Sequence, residues 1–195
     1  MRKLFVAALV VTTVCTTASF AAVETYKIDP VHSSVGFKIR HFFSKVPGQF
    51  TDFDGTITMD SSDISKSKAE ATIKTASVNT KNDKRDGHLK SPDFFDAEKN
   101  PTITFKSTSW KEVEKNSYEV TGDLTIHGTT KPATLHVKFL GAGPAMGGVR
   151  GGWEATTTIN RMDFGVSWNK AAEGGGTILG EEVEISLNVE GVLQK

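Results

Sequence analysis

Two-residue alternation of apolar and polar side chains runs through most of this chain, and it constrains the fold more than any other feature. Val35, Phe37 and Ile39 alternate with Gly36, Lys38 and Arg40, the period of a strand that buries one face. The same pattern recurs over residues 49–59, 68–78, 102–110, 117–126, 133–140, 150–159 and 182–192, which makes eight expected strands. Turn chemistry separates them: Asp54-Gly55, Asp60-Ser61-Ser62-Asp63, Lys115-Asn116, His127-Gly128 and glycine-rich stretches at 141–148 and 174–176. Eight antiparallel strands can close on themselves and leave no unpaired edge. The expected fold is all-β, an eight-stranded antiparallel barrel with one short helical insert near residues 82–96.

Ahead of the alternation stand Arg2 and Lys3, an apolar run from Leu4 to Val14, and small residues around Ser19-Phe20-Ala21. These have the charge, core length and cleavage chemistry of a signal peptide, so residues 1–21 are expected to be removed and 22–195 to form one exported domain. A bilayer span needs about 20 apolar residues, more than this run offers, and no comparable run follows. No stable membrane anchor is expected. Cys15, the only cysteine, lies inside the leader and follows Val14, where a lipoprotein signal would need a small residue. Without it the mature chain has neither a disulfide nor a thiol nucleophile. Removing Arg2 and Lys3 from 23 basic residues leaves 21 against 23 acidic ones. That balance argues against a nucleic-acid partner, which needs clustered cations.

An eight-stranded barrel is either just filled by its side chains or just wide enough for one ligand. Ala69, Ala71, Gly122, Ala133, Gly151 and Ala155 share expected inward faces with Ile73, Leu124, Leu135, Val137, Trp153 and Ile159. Small residues among large ones fit a tapering, filled core or leave an apolar tunnel, and the pattern alone leaves both open. In the insert, Ser91-Pro92-Asp93 has the composition of a helix start, followed at once by Phe94 and Phe95.

Catalytic and metal motifs are sparse. The five histidines, His32, His41, His88, His127 and His136, show no metal-ligand spacing, and no metal is expected. Ser33 and Ser34 beside His32 lack a nucleophile elbow. The glycines at 141, 143, 147 and 148 connect two strands and do not form a dinucleotide fingerprint. Arg161 and Asp163, like Arg85 and Asp86, could form structural ion pairs.

Ordered along the chain are Ile28-Asp29-Pro30-Val31-His32-Ser33, Phe37-Lys38-Ile39-Arg40-His41, Gly48-Gln49-Phe50, Phe53-Asp54-Gly55, Arg85-Asp86-Gly87-His88-Leu89 and Phe94-Phe95-Asp96. They continue with Pro101-Thr102-Ile103-Thr104-Phe105, the run from Gly122 to Pro132, Asn160-Arg161-Met162-Asp163-Phe164-Gly165 and Leu179-Gly180-Glu181-Glu182-Val183. In this series the chain resembles the YceI-like family of exported polyisoprenoid-binding proteins. The resemblance covers essentially the whole mature chain. It implies a lipocalin-like barrel whose elongated apolar cavity holds an isoprenoid lipid or isoprenoid quinone, with no covalent cofactor, and it implies homodimers and a periplasmic location. Fatty-acid-type amphiphiles are an alternative ligand class.

On that expectation the cavity wall is drawn from Phe37, Ile39, Phe50, Ile57, Ile73, Phe94, Phe95, Ile103, Phe105, Leu124, Trp153 and Phe164. Arg40, Arg85, His88 and Arg161 are the candidates for a polar mouth. Two rivals stand beside this reading: an enzyme acting on a lipid head group with His88 and Asp86 as acid and base, and a packed barrel that binds a partner through its loops.

Overall fold

Backbone hydrogen bonds run all the way round a closed ring, which is how an antiparallel sheet of this size avoids exposed edges. The computed structural model describes residues 23–194; the expected leader at 1–21, with Cys15, lies outside them. Three staves of the barrel are each bent into two strands: β1 (Val23–Ile28) with β2 (Ser34–His41), β3 (Ser44–Phe50) with β4 (Phe53–Asp60), and β5 (Lys68–Lys74) with β6 (Val78–Asn79). The other five are unbroken: β7 (Thr102–Glu114), β8 (Ser117–Ile126), β9 (Thr129–Ala145), β10 (Gly148–Asn160) and β11 (Leu179–Leu193). Each stave pairs antiparallel with the next in the chain. β11 returns to pair with both β2 and β1, so eight staves close an up-and-down barrel.

The bends explain why eight expected strands appear as eleven. In the first stave the break is locked by the sequence between Ile28 and Ser34. The Asp29 carboxylate accepts from the Val31 amide (3.0 Å), faces His32 Nδ1 (2.8 Å) and accepts from Arg150 Nη1 (2.7 Å). Arg150 also donates to Glu190 (2.5 Å), and Ser33 Oγ bridges both backbone groups of Glu190. Ligand atoms of Asp29, His32 and Glu190 lie within 4.8 Å of one another, but Arg150 already supplies the positive charge there. Ser33 is thus a structural hydroxyl at the end of a turn. In the third stave a 3-10 turn at Thr75–Ser77 separates β5 from β6.

Three local expectations are corrected. Asp54-Gly55, read as a turn, lies inside β4, paired with Thr72 and Ala71. The glycine-rich stretch at 141–148 is mostly strand: β9 runs on to Ala145, with a register shift opposite Gly152 and Trp153 where Gly141 takes a positive φ. The helix α1 spans Asp83–Lys90, and Asn82 caps its start by accepting from the Arg85 amide (3.0 Å). Ser91 therefore ends the helix, because Pro92 holds the residue before it in extended backbone. Turns rather than helix carry Phe94 and Phe95.

At one end of the barrel lie α1, the β2–β3 and β8–β9 turns, and a 3-10 turn at Arg161–Phe164 leading into the irregular segment 165–178. The β4–β5, β7–β8 and β9–β10 turns mark the other. Each end has its own packed cluster, with Phe50, Val78, Phe94, Ile126, Phe164 and Val166 at the insert end. Tyr26, Trp110, Tyr118, Val120 and Trp153 fill the far end. Phe105 packs against both.

Candidate functional site: an apolar barrel cavity

Between the two clusters the staves enclose a cavity of about 590 Å³, within the range of roughly 300–1,000 Å³ that suits a single small-molecule ligand. Alternation places its lining. β11 contributes Val183, Ile185, Leu187 and Val189, and β10 contributes Trp153, Ala155, Thr157 and Ile159. The small residues divide between the two roles that the sequence left open. A Cβ on Gly122 would lie 2.5 Å from the Phe105 ring, and one on Gly151 would lie 2.5 Å from Trp153. Those glycines are covered by aromatic rings. Ala69, Ala71 and Ala155 instead line the open space.

All twelve side chains expected on the wall border this cavity: Phe37, Ile39, Phe50, Ile57, Ile73, Phe94, Phe95, Ile103, Phe105, Leu124, Trp153 and Phe164. Phe94 is buried against His88 and Trp168 (ring centroids 5.0 and 5.2 Å), and Phe95 packs on Phe50 (5.8 Å). Among the residues not anticipated are Trp110, Val120, Trp168 and the inward face of β11. The β11 alternation was visible in the sequence, whereas Trp168 sits in irregular chain where no period could mark it.

Of the four polar candidates, Arg85, His88 and Arg161 border the cavity at the insert end, together with His41, Thr80 and Lys170. Arg40 does not. With Ile39 and His41 facing in, the pleat turns Arg40 outward, where it is exposed and donates to the Phe42 carbonyl (3.1 Å). Asp54 and Glu70 also border the space, but their carboxylates are solvent-exposed partners of Lys27 and Lys106.

Hydrogen bonding separates the remaining three. Arg85 donates through Nε to Thr80 Oγ1 (2.7 Å) and through Nη2 to the Thr80 carbonyl (2.9 Å). Asp86, buried, accepts from the same threonine's amide (2.9 Å) and hydroxyl (2.5 Å). These two meet on Thr80 and form no ion pair with each other within 4.0 Å. His88 pairs through Nε2 with Asp93 Oδ2 (2.8 Å) and sets its ring edge-on to Phe94 and Trp168. His88 and Asp86, the acid–base pair of the enzymatic rival, have thus turned to different partners.

Arg161 is only 4% exposed. It donates through Nε to the Gly180 carbonyl (2.9 Å) and through Nη1 to those of Val166 (2.5 Å) and Trp168 (2.9 Å). No carboxylate lies within 4.0 Å of it among the described residues, so the pairing with Asp163 does not form. Burial of the charge without a close counterion pushes the guanidinium pKa below its ordinary value, opposed by the more distant Glu181. Its Nη2 has no hydrogen-bond partner, and neither do the indole N–H groups of Trp110 and Trp153.

A closed eight-stranded meander around a one-ligand apolar cavity defines a lipocalin-like barrel. The chain belongs to the YceI-like family, whose domain model matches residues 26–191. UPF0312 proteins of Pseudomonas paraeruginosa and Pseudomonas putida are each 40% identical to it, over the full length of both chains. Among solved structures, BcnA of Burkholderia cenocepacia superposes with a TM-score of 0.73 at 25% identity, covering 84% of this chain and 98% of BcnA. The Campylobacter jejuni YCEI protein gives 0.68 at 32% identity, covering 78% and 88%. A polyisoprenoid binding domain from Saccharophagus degradans shares the fold at 14% identity, with a TM-score of 0.64 and coverage of 87% and 98%.

Proposed function

We propose that this protein is a non-covalent carrier that buries the tail of a long isoprenoid lipid or isoprenoid quinone in the barrel. It would act in the periplasm after removal of residues 1–21. The observation that carries this reading is the distribution of polarity: the cavity is apolar along the barrel, and its buried polar side chains gather at the insert end. A tail would lie toward Trp110 and Trp153, with its head among Arg85, His88 and Arg161. The polyisoprenoid binding domain of Saccharophagus degradans lends the same fold to that ligand class.

Burial of each methylene-sized group is worth about 0.8 kcal/mol, so the five carbons of an isoprene unit contribute roughly 4 kcal/mol before the cost of ordering chain and protein. Affinity therefore grows with tail length until the cavity is full. Organic extraction of protein purified from the exported fraction, followed by mass spectrometry, tests the assignment. A stoichiometric prenyl lipid or quinone is the expected product. Recovery of a fatty-acid-type amphiphile would change the ligand class, and a folded protein that carries no lipid and takes up no added prenyl lipid would overturn the reading.

A further inference from the structure

Two phenylalanines form the tip of the β2–β3 hairpin, outside both core clusters. His41 pairs with Ser44, so Phe42 and Phe43 are the two central residues of a tight turn. Such turns favour Asn-Gly or a similar pair that tolerates positive φ. Here Phe42 takes a φ of 50° and is 43% exposed, while Phe43 is fully exposed. No other phenylalanine, tyrosine or tryptophan among the described residues is exposed. A bulky side chain in left-handed backbone is an outlier, and the needs of the fold do not account for this one.

The tip stands beside the cavity. The Phe42 amide donates to the Ile178 carbonyl (2.9 Å), and His41 and Ile178 both border the space. Lys170, whose carbonyl accepts from the Ile178 amide (3.0 Å), is exposed and borders it too. From 38 to 45 the hairpin carries Lys38, Arg40 and Lys45 and no carboxylate. Acids reach it from β11: Glu184 pairs with Lys45, and Glu181 and Glu182 lie in the bulge opposite Arg40. Charge near the tip is therefore mixed, and its attraction is chiefly apolar.

We infer that this tip docks reversibly on a lipid bilayer, with Phe42 and Phe43 entering the interface and the insert end of the barrel turned toward the membrane. A specific protein contact takes about 20–30 residues a side, far more than a two-residue tip presents. An aromatic ring needs only to reach the headgroup–acyl boundary, roughly 5–10 Å deep. Val113, Leu140 and Met146 are also exposed, but they lie toward the end that Tyr26, Trp110, Tyr118 and Trp153 fill, where no tail could pass. Docking goes beyond the tail-binding reading; the role it would serve, loading the cavity from the membrane, rests on that reading.

The test floats the purified protein with phosphatidylethanolamine–phosphatidylglycerol vesicles and, separately, follows its uptake of geranylgeraniol dispersed in solution. The double variant Phe42→Asn, Phe43→Gly installs the pair that tight hairpins prefer, so its melting temperature should hold or rise. Wild type should float with the vesicles, and the double variant should bind them at least about tenfold more weakly. Uptake of dispersed geranylgeraniol should be the same for both, whereas its transfer from vesicles should slow in the variant. Met146→Asn, at the far end, should float like the wild type.

Wild type that stays off the vesicles yet takes up dispersed lipid would overturn docking and leave the tail reading intact. Vesicle binding that survives the double variant would overturn the assignment to this tip. Self-association that the double variant abolishes, without vesicle binding by either protein, would make the tip a contact between two copies and overturn the inference as well. Failure of both proteins to take up dispersed lipid would count against the tail reading and overturn the loading role with it.

Discussion

Gly122 and Gly87 show how position decides what one methyl group does. At Gly122 a Cβ would meet the Phe105 ring at 2.5 Å and the Lys106 carbonyl at 2.6 Å. Gly122→Ala is expected to cost about 1–3 kcal/mol, the range for overpacking. At Gly87, within α1 and with open space around it, Gly87→Ala should add roughly 0.5–1 kcal/mol. Urea unfolding of both variants checks the opposite signs. Asp29 makes a pH-dependent case. Arg150 first, then His32 and the Val31 amide, hold its carboxyl well below the usual carboxylate range. A depressed folded pKa stabilises the fold at pH values above about 4, and that contribution is lost as the pH falls through the folded value. Asp29→Asn should lower the melting temperature at neutral pH and flatten its decline below pH 4. A variant that tracked the wild type across that window would contradict the clamp at the first bend.

At the scale of elements, the insert is tied to the barrel through Thr80, on which Arg85 and Asp86 both converge. Asp86→Ala leaves the buried Thr80 amide unpaired, a loss of about 1–3 kcal/mol. Hydrogen exchange should therefore quicken across 80–90 while β7 to β10 stay protected; uniform loosening of the barrel would show instead that Asp86 supports the whole core. Strands were the elements most legible in the sequence, because alternation over eight or more residues survives local bends. β1 was missed because its six residues adjoin the leader. The helix lies within the expected insert at 82–96, but the start read at Ser91-Pro92-Asp93 is its end, while the real cap, Asn82, precedes a helix with a glycine inside it.

For the molecule as a whole, alternation told which side chains face inward but not whether they fill the interior. The wall was therefore legible and its emptiness was not. That depends on rings crossing to cover glycines, as Phe105 covers Gly122 and Trp153 covers Gly151, while Ala71 and Ala155 border open space. The polar end was half legible. Arg85, His88 and Arg161 sit at the cavity, whereas Arg40 falls on the outward parity of β2. The central claim is that the space between the aromatic far end and the insert holds a lipid tail. The most direct measurement is titration of wild type and Ala155→Trp with one long prenyl lipid, each protein verified as folded by circular dichroism. The account predicts saturable uptake by the wild type and little or none by the filled variant. Equal uptake by both would place the lipid outside the barrel and contradict it.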